Sequence, residues 1–268
     1  MSIPIVGKCF ATSAEFIDYL EGIKFGAWRP RFVTMHHTGA PDLKTWQGWQ
    51  TRKDSVTDEA WLRNLADYYG REMGWSAGPH FFFTPQHFCV LSPPDRRGVH
   101  AVSFNAVSWA VECVGDFDRS PLEGALRAWY VEGLAALHIA SGLQLSPFEK
   151  GVRGLHFHRD DPKTTKTCPG KTIVKSTLIA EVERKIIAMT QGDHPEERVV
   201  MRLPAATKRT GRVNTDDLNV RLAASAKAPV VRALPLGASV DILGEAKNGE
   251  TLWFAVDGGF VAARYVDV

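Results

Sequence analysis

Short apolar runs alternate with longer amphipathic segments over the first 190 residues of the chain. The short runs are rich in β-branched and aromatic side chains and stop at glycine, proline or polar residues, as buried strands do. We predict strands of this kind at residues 31–37, 80–83, 87–91 and 108–114.

Apolar residues at helical spacing mark three further segments, at residues 57–73, 121–141 and 171–189. The second helix carries the clearest boundary signals. Ser120 is placed to cap it, with Glu123 completing a capping box, and Gly142 follows its last turn. Strands and helices that alternate in this way predict an α/β fold, with a mixed central sheet flanked by helices.

The periodic pattern stops near residue 190 and changes character afterwards. Residues 191–216 are polar, with scattered proline and glycine, and predict a linker. Residues 217–268 contain short strand-like runs separated by turns, which predict a small all-β barrel. We therefore expect a first domain at residues 1–190 and a second at 217–268.

The charge and hydropathy of the chain bear on whether it binds nucleic acid, enters a membrane or carries a secretory signal. The 268 residues include 32 Lys and Arg and 30 Asp and Glu, a net charge of +2 that gives no support for nucleic-acid binding. No apolar run approaches the ~20 residues that a membrane helix needs, so membrane insertion is not expected. The first ten residues lack the pattern of a secretory signal, and we expect synthesis in the cytoplasm. These features do not determine the oligomeric state.

Four cysteines lie at long, irregular spacings, at positions 9, 89, 113 and 168. This spacing does not indicate a disulfide framework, and a cysteine near histidines is better interpreted as a metal ligand or nucleophile. Cys168 precedes the helix predicted at 171–189, and a helix N-terminus and a bound metal would each lower the pKa of its thiol.

Two segments supply the residue types of a catalytic zinc site, which needs about three protein donors and one open position. The first is MHHTGAP at 35–41, and the second is GLHFHRDDPKTTKTCPG at 154–170. His36 and His37 face opposite sides of a strand, so only one of them can be a ligand. His156 and His158 would share a side, so either could serve together with Cys168. If His156 were a fourth ligand, the site would be closed and structural.

A third segment completes a recognisable order of motifs. His36-His37-Thr38 ends a strand, Asn105 to Ser108 leads into a strand that reaches Glu112, and His158-Arg159-Asp160 precedes Lys166-Thr167-Cys168-Pro169-Gly170. Over about residues 30–185 the chain resembles the zinc-dependent N-acetylmuramoyl-L-alanine amidases of the peptidoglycan-recognition-protein and phage-amidase superfamily.

The resemblance implies roles for individual residues. It implies that His36, His158 and Cys168 bind Zn²⁺, that Glu112 is the catalytic carboxylate and that Lys166 stabilises the oxyanion. It further places His80 and His100 along the substrate groove, and we expect His37, His80, His100 and Asn105 to bind substrate.

Two departures from the family pattern bear on the mechanism. Many relatives have a tyrosine just before the position of His80, where this chain has Pro79, and this shifts the role of base to Glu112. The loop from His158 to Cys168 is about two residues longer than the commonest form, which affects the placement of Lys166.

The last 52 residues resemble bacterial SH3-like domains, which commonly bind the cell wall. The similarity rests on LNVR at 218–221, the segment 237–240 and the closing Trp253, Gly259-Phe260-Val261 and Tyr265.

Together these resemblances favour a zinc hydrolase that cleaves the amide between N-acetylmuramic acid and L-alanine, with peptidoglycan or a muropeptide as its partner. A wall-binding module favours a phage-type endolysin or other wall-degrading enzyme, because tethering raises the local enzyme concentration at an insoluble substrate. Such an enzyme would act on the wall after release or export. The alternatives are a cytosolic muropeptide-recycling amidase, a non-catalytic peptidoglycan receptor and an unrelated structural zinc protein.

Overall fold

The computed structural model describes residues 2–52, 56–191, 209–221, 224–226, 228, 230–257 and 259–268. In the part before residue 191, the strands are β1 (Lys8–Phe10), β2 (Phe32–His37), β3 (Phe81–Phe83), β4 (Phe88–Val90), β5 (Ser108–Cys113) and β6 (Leu155–Phe157). The helices are α1 (Ser13–Glu21), α2 (Leu43–Gln50), α3 (Asp58–Arg71), α4 (Gly124–Ser141) and α5 (Lys175–Gln191).

The six strands form one sheet in the order β1-β4-β3-β5-β2-β6. Strand β2 runs parallel to β5 and β6, and β3 runs parallel to β5, whereas β4 is antiparallel to both β1 and β3. The predicted mixed sheet with flanking helices is therefore confirmed. None of the helices in the described ranges is long and apolar enough to span a membrane.

Alternation along the strands assigns each side chain to one of two faces. Met35, Phe83 and Val111 point into a large core that is shared with α1, α4 and α5. Their neighbours in sequence face the other way, where Phe82 packs with aromatic residues of α2 and α3. His36 and Glu112 follow Met35 and Val111 directly, so they lie on this second face.

Two helix starts differ from the prediction. The helix expected from residue 121 begins at Gly124, and its N-cap Glu123 makes no side-chain capping bond. Glu123 is extended, and Leu122 just before it is buried in the core. Helix α5 begins at Lys175, not at residue 171, because the Thr172 N–H and hydroxyl both donate to the Phe117 carbonyl (3.1 and 2.7 Å).

The first strand and helix have no counterpart in the prediction, and neither does a disulfide that joins them to the sheet. Cys9 on β1 and Cys89 on β4 are paired directly across the strands and form a disulfide. The irregular cysteine spacing gave no indication of this bond, because sheet pairing brings together residues that are 80 positions apart. Helix α1 has a capping box of Thr12 and Glu15, a local signal that could have identified it.

The part after residue 208 is all-β, as predicted. Its strands are β7 (Arg209–Val213), β8 (Leu218–Arg221), β9 (Val230–Leu234), β10 (Ser239–Ile242), β11 (Gly244–Asn248), β12 (Thr251–Val256), β13 (Gly259–Ala262) and β14 (Val266–Asp267). They form two sheets, β10-β7-β14 and β11-β12-β13-β8-β9.

The predicted linker at 191–216 is only partly described, because residues 192–208 lie outside the described ranges. The prediction is wrong for Arg209–Val213, which form β7 and pair with β10 and β14. In this strand Arg209, Thr210 and Arg212 are exposed, and only Gly211 and Val213 are buried, Val213 in the core of the β-rich part. Its apolar content is too low to produce a strand pattern on its own.

Candidate metal centre and groove

His36 and Glu112 are brought together by the pairing of two central strands. In the parallel ladder of β2 and β5, His36 is the direct partner of Glu112. Both side chains lie on the face towards α2 and α3, and His36 Nδ1 is 3.8 Å from Glu112 Oε1. His36 is nearly inaccessible, with 2% of its surface exposed.

Two further donors come from the segment that follows β6. His158 opens a short 3-10 turn (His158–Asp160) immediately after the strand, and Cys168 lies at the end of the following loop. The donor atoms of His36, His158 and Cys168 all lie within 4.8 Å of one another. The three residues implied by the resemblance therefore form one cluster that could hold a metal ion.

The structure distinguishes between the histidines that the sequence left as alternatives. His37 lies on the opposite side of β2, where its Nδ1 accepts a hydrogen bond from the Phe117 N–H (3.0 Å). His156 is buried with both ring nitrogens bonded to backbone, to the Gly151 N–H (2.7 Å) and the Gly154 carbonyl (3.1 Å). His156 and His158 do lie on the same side of the sheet, as expected, because His156 is the direct partner of Thr34 and the His158 ring lies 4.5 Å from that of His36. His156 is displaced along the strand, where it stacks on Phe32 with ring centroids 3.9 Å apart. Among the described residues, no fourth protein donor joins the three-residue group.

Arg159 holds the loop that carries Cys168, a role that sequence reasoning missed. Its backbone N–H donates to the Cys168 carbonyl (2.9 Å), and its guanidinium donates to the carbonyls of Gly170 (2.7 Å) and Ile173 (2.8 Å). Because Arg159 directly follows His158, these hydrogen bonds link the segment that carries His158 to the loop that carries Cys168.

Burial dominates the electrostatics of the metal-free site. It lowers the pKa of His36 far below its usual range and that of His158 to about 4, so both imidazoles are neutral at pH 7. Burial raises the pKa of Glu112 to about 8, against the opposing effect of the Lys166 charge.

The Cys168 thiol also differs from expectation. Burial, with a smaller contribution from the Glu112 charge, raises its pKa, although the His37 N–H donates to Sγ at 3.4 Å. The predicted helix N-terminus does not lower it, because α5 begins seven residues further on at Lys175.

The cluster lies in an open groove of about 750 Å³. Indole and phenol rings of the α2–α3 side form one wall, with Lys166 and Arg119 among the charged residues around it. The aromatic lining residues are Trp49, Trp61, Tyr69, Trp75 and Phe82. His37 and His100 are also among the residues that line the groove.

Two of the predicted groove residues lie elsewhere. His80 is fully buried, its Nε2 donates to the Arg96 carbonyl (2.9 Å) and its Nδ1 accepts from the Ala110 N–H (3.0 Å). Asn105 is not among the groove-lining residues, and its Oδ1 accepts from the N–H groups of His100 (2.7 Å) and Ala101 (2.9 Å). Both therefore support the structure around the groove. The complete burial of His80 argues against its expected contact with substrate, whereas the expected contact of Asn105 stays a prediction.

Comparison with known proteins gives two family matches. The model of the N-acetylmuramoyl-L-alanine amidase family matches residues 27–171, and that of the bacterial SH3 domain matches residues 216–267. No curated protein matches the chain.

Several solved structures are similar to part of the chain. The endolysin amidase LysCS of Clostridium intestinale is 18% identical, with a TM-score of 0.40, over 58% of this chain and 84% of its own. Drosophila PGRP-LB is 19% identical, with a TM-score of 0.38, over 61% and 85%. The Ph2119 endolysin of a Thermus scotoductus bacteriophage is 17% identical, with a TM-score of 0.34, over 59% and 88%.

Proposed function

Because the chain belongs to the N-acetylmuramoyl-L-alanine amidase family, we propose that it hydrolyses the amide bond between N-acetylmuramic acid and L-alanine in peptidoglycan. One observation carries this proposal: the donor atoms of His36, His158 and Cys168 converge within 4.8 Å in an open groove, beside Glu112.

The donor set fits a zinc ion. Two neutral imidazoles and one sulfur are ligands that Zn²⁺ accepts, and three protein donors in an open groove leave a position for water or substrate. When bound, the ion supplies Lewis-acid chemistry, which polarises a carbonyl and makes water a stronger nucleophile at neutral pH. The raised pKa of Cys168 in the metal-free protein means that loading the site releases the thiol proton.

Glu112 is proposed as the general base. Its carboxylate accepts a proton from the attacking water and returns it to the nitrogen of the departing L-alanine. Desolvation strengthens Glu112 as a base but keeps it largely protonated at pH 7 in the metal-free protein, so its role requires the ionised form that a bound divalent cation would favour. Its position opposite His36 in the strand ladder keeps it beside the metal ligands.

Lys166 is proposed to stabilise the oxyanion of the tetrahedral intermediate. It is exposed, lines the groove two residues before Cys168, and its charge acts on Glu112 and both imidazole ligands. A positive charge at this place is worth most when substrate fills the groove and excludes water. His37 and the aromatic wall are proposed to contact the glycan and stem peptide.

We further propose that residues 1–190 form the amidase domain and that the β-rich domain directs it to polymeric wall, as in a phage-type endolysin. A tethered wall-binding domain raises the effective concentration of enzyme at an insoluble substrate. Comparing initial rates on intact sacculi and on soluble muropeptides tests this. Faster turnover of sacculi supports the endolysin role, whereas a preference for soluble fragments indicates a recycling amidase.

The amidase proposal is tested by digesting purified sacculi with zinc-loaded wild type, Glu112→Gln and a control variant, Glu72→Gln, whose carboxylate is exposed at the end of α3. We expect new L-alanine amino termini without new reducing sugar ends, retained in the control and lost in Glu112→Gln. Unchanged release from Glu112→Gln contradicts the assignment of the base. Binding to sacculi with no release by wild type identifies a receptor instead.

A further inference from the structure

A chain of hydrogen bonds leads from one metal ligand away from the groove. His36 Nε2 and His100 Nδ1 are 3.0 Å apart, and His100 Nε2 is 3.2 Å from Ser108 Oγ. Ser108 Oγ lies 3.1 Å from the Phe104 carbonyl and 3.0 Å from the Thr34 hydroxyl. His36, Ser108 and Thr34 are buried, so water does not substitute for these partners.

Each neutral imidazole carries one proton, so the chain can run in only two directions. In the first, His36 Nε2–H donates to His100 Nδ1 and His100 Nε2–H donates to Ser108. Ser108 then donates to the Phe104 carbonyl and also accepts from Thr34, which satisfies its oxygen fully. In the second direction, Ser108 donates to His100, His100 donates to His36 Nε2, and the proton of His36 sits on Nδ1.

Only the first direction leaves His36 able to bind a metal. Nε2 is occupied by His100 in both cases, so Nδ1 is the nitrogen available to a metal, and it must be unprotonated. In the second direction Nδ1 carries the proton and His36 offers no lone pair to the cluster.

We propose that His100 is a positioning residue for the metal centre: it accepts the Nε2–H of His36 and thereby fixes the tautomer whose Nδ1 lone pair faces His158 and Cys168. This inference rests on the proposed zinc site. It assigns the ring nitrogens of His100 to His36 and Ser108, so the groove-lining ring of His100 has neither of them free for substrate.

The backbone of His100 is fixed for this role. Asn105 Oδ1 accepts from the N–H groups of His100 and Ala101, which anchors the turn that presents the ring to His36. The rings of His36 and His100 meet nearly at right angles, at 87°, with centroids 5.1 Å apart. This gives Asn105 an indirect part in metal binding as well.

The test compares two substitutions of nearly equal shape in the full-length protein. His100→Asn keeps an acceptor oxygen close to the position of Nδ1, whereas His100→Leu has a methyl group there. Zn²⁺ affinity is measured by competition with a chromogenic chelator. Because loss of a partner behind a metal ligand typically weakens metal binding 10- to 100-fold, we expect a loss of about this size in His100→Leu and one of about threefold or less in His100→Asn.

A second measurement reads the tautomer directly. In metal-free wild type and His100→Asn, ¹⁵N-detected NMR of the His36 ring should show the proton on Nε2. In His100→Leu it should move towards Nδ1, where Glu112 Oε1 is the nearest carboxylate oxygen at 3.8 Å. Should His100→Leu fail to fold, Ser108→Ala is used instead, and a smaller loss of Zn²⁺ affinity is expected.

Equal affinity losses in the Asn and Leu variants overturn the proposal, because the ring would then act by its shape. No loss in the Leu variant (or in Ser108→Ala, where that is used), or a proton on Nδ1 in wild type, also overturns it. Failure of the proposed function looks different: wild type then neither binds Zn²⁺ nor releases L-alanine. Wild type that does both, with a Leu variant of unchanged affinity, refutes the role of His100 alone.

Discussion

Replacing Glu112 with glutamine is expected to stabilise the metal-free protein at alkaline pH while it abolishes hydrolysis. Burial raises the pKa of Glu112 from its ordinary value of 4.5 to about 8. The folded protein therefore holds this proton more tightly than the unfolded chain does. By linkage, the contribution of Glu112 to the free energy of unfolding is therefore greatest below pH 4.5. This contribution is lost as the pH rises towards 8.

The size of the effect follows from the same values. Each tenfold change in proton affinity corresponds to about 1.4 kcal/mol, so the contribution of Glu112 falls by about 3 kcal/mol between pH 5 and pH 8. Glutamine has nearly the same shape and does not titrate. Glu112→Gln should therefore gain about 3 kcal/mol over wild type between these two pH values.

The assay is urea unfolding of chelator-treated protein at several pH values, followed by tryptophan fluorescence. Seven of the eight tryptophans precede residue 130, so the signal reports mainly on the part of the chain that contains Glu112. Buried His36 and His158 act in the opposite sense, since their lowered pKa values reduce stability as the pH falls below 6.5. The difference between wild type and variant removes their contribution.

Glu72→Gln serves as the control, because this carboxylate is exposed at the end of α3. It should leave the pH dependence of wild type unchanged. If the free energies of unfolding of wild type and Glu112→Gln run parallel from pH 5 to pH 8, burial does not raise the pKa of Glu112 as described. The reasoning that makes it a strengthened base would then be wrong.

Three further predictions concern catalysis and stability. Lys166→Met should lower kcat for L-alanine release by about 10²- to 10³-fold and leave Zn²⁺ affinity within a few-fold, and a preserved kcat would remove Lys166 from the mechanism. Reducing the Cys9–Cys89 disulfide should lower the free energy of unfolding by about 2–4 kcal/mol in urea titrations, with no effect of reductant on a Cys9→Ala/Cys89→Ala variant. Gly170→Ala should destabilise by more than about 2 kcal/mol, because Gly170 has φ +123° and a Cβ would lie 2.4 Å from a backbone carbonyl. Gly142 has φ +68°, and a Cβ there would meet no atom within 4 Å. Gly142→Ala should therefore lower the melting temperature less than Gly170→Ala does.

The strands that carry the centre could be predicted because they are short, apolar and rich in aromatic or β-branched residues. The segment at 31–37 became β2 and that at 108–114 became β5, each within a residue or so. Strand alternation then fixes the faces of His36 and His37 without further information. The ligands themselves required the resemblance, because His156 and His158 are equivalent from spacing alone.

What the sequence did not predict depends on contacts between distant segments. The role of Arg159 comes from backbone carbonyls that the loop folds around it. His80 was expected in the groove, but both of its ring nitrogens form hydrogen bonds with backbone groups of other segments. The disulfide between Cys9 and Cys89 needs the pairing of β1 with β4. None of these partners is encoded by local spacing.

His36 and Glu112 are direct partners in the pairing of β2 with β5. The distance between the proposed base and this metal ligand is therefore set by the register of the two strands. A single residue inserted within either strand would turn one of the two side chains to the opposite face and replace it with an apolar neighbour. Homologues and engineered variants should therefore accept length changes in the connecting loops and reject them inside these two strands. A library of one-residue insertions scored for wall lysis would map this boundary directly.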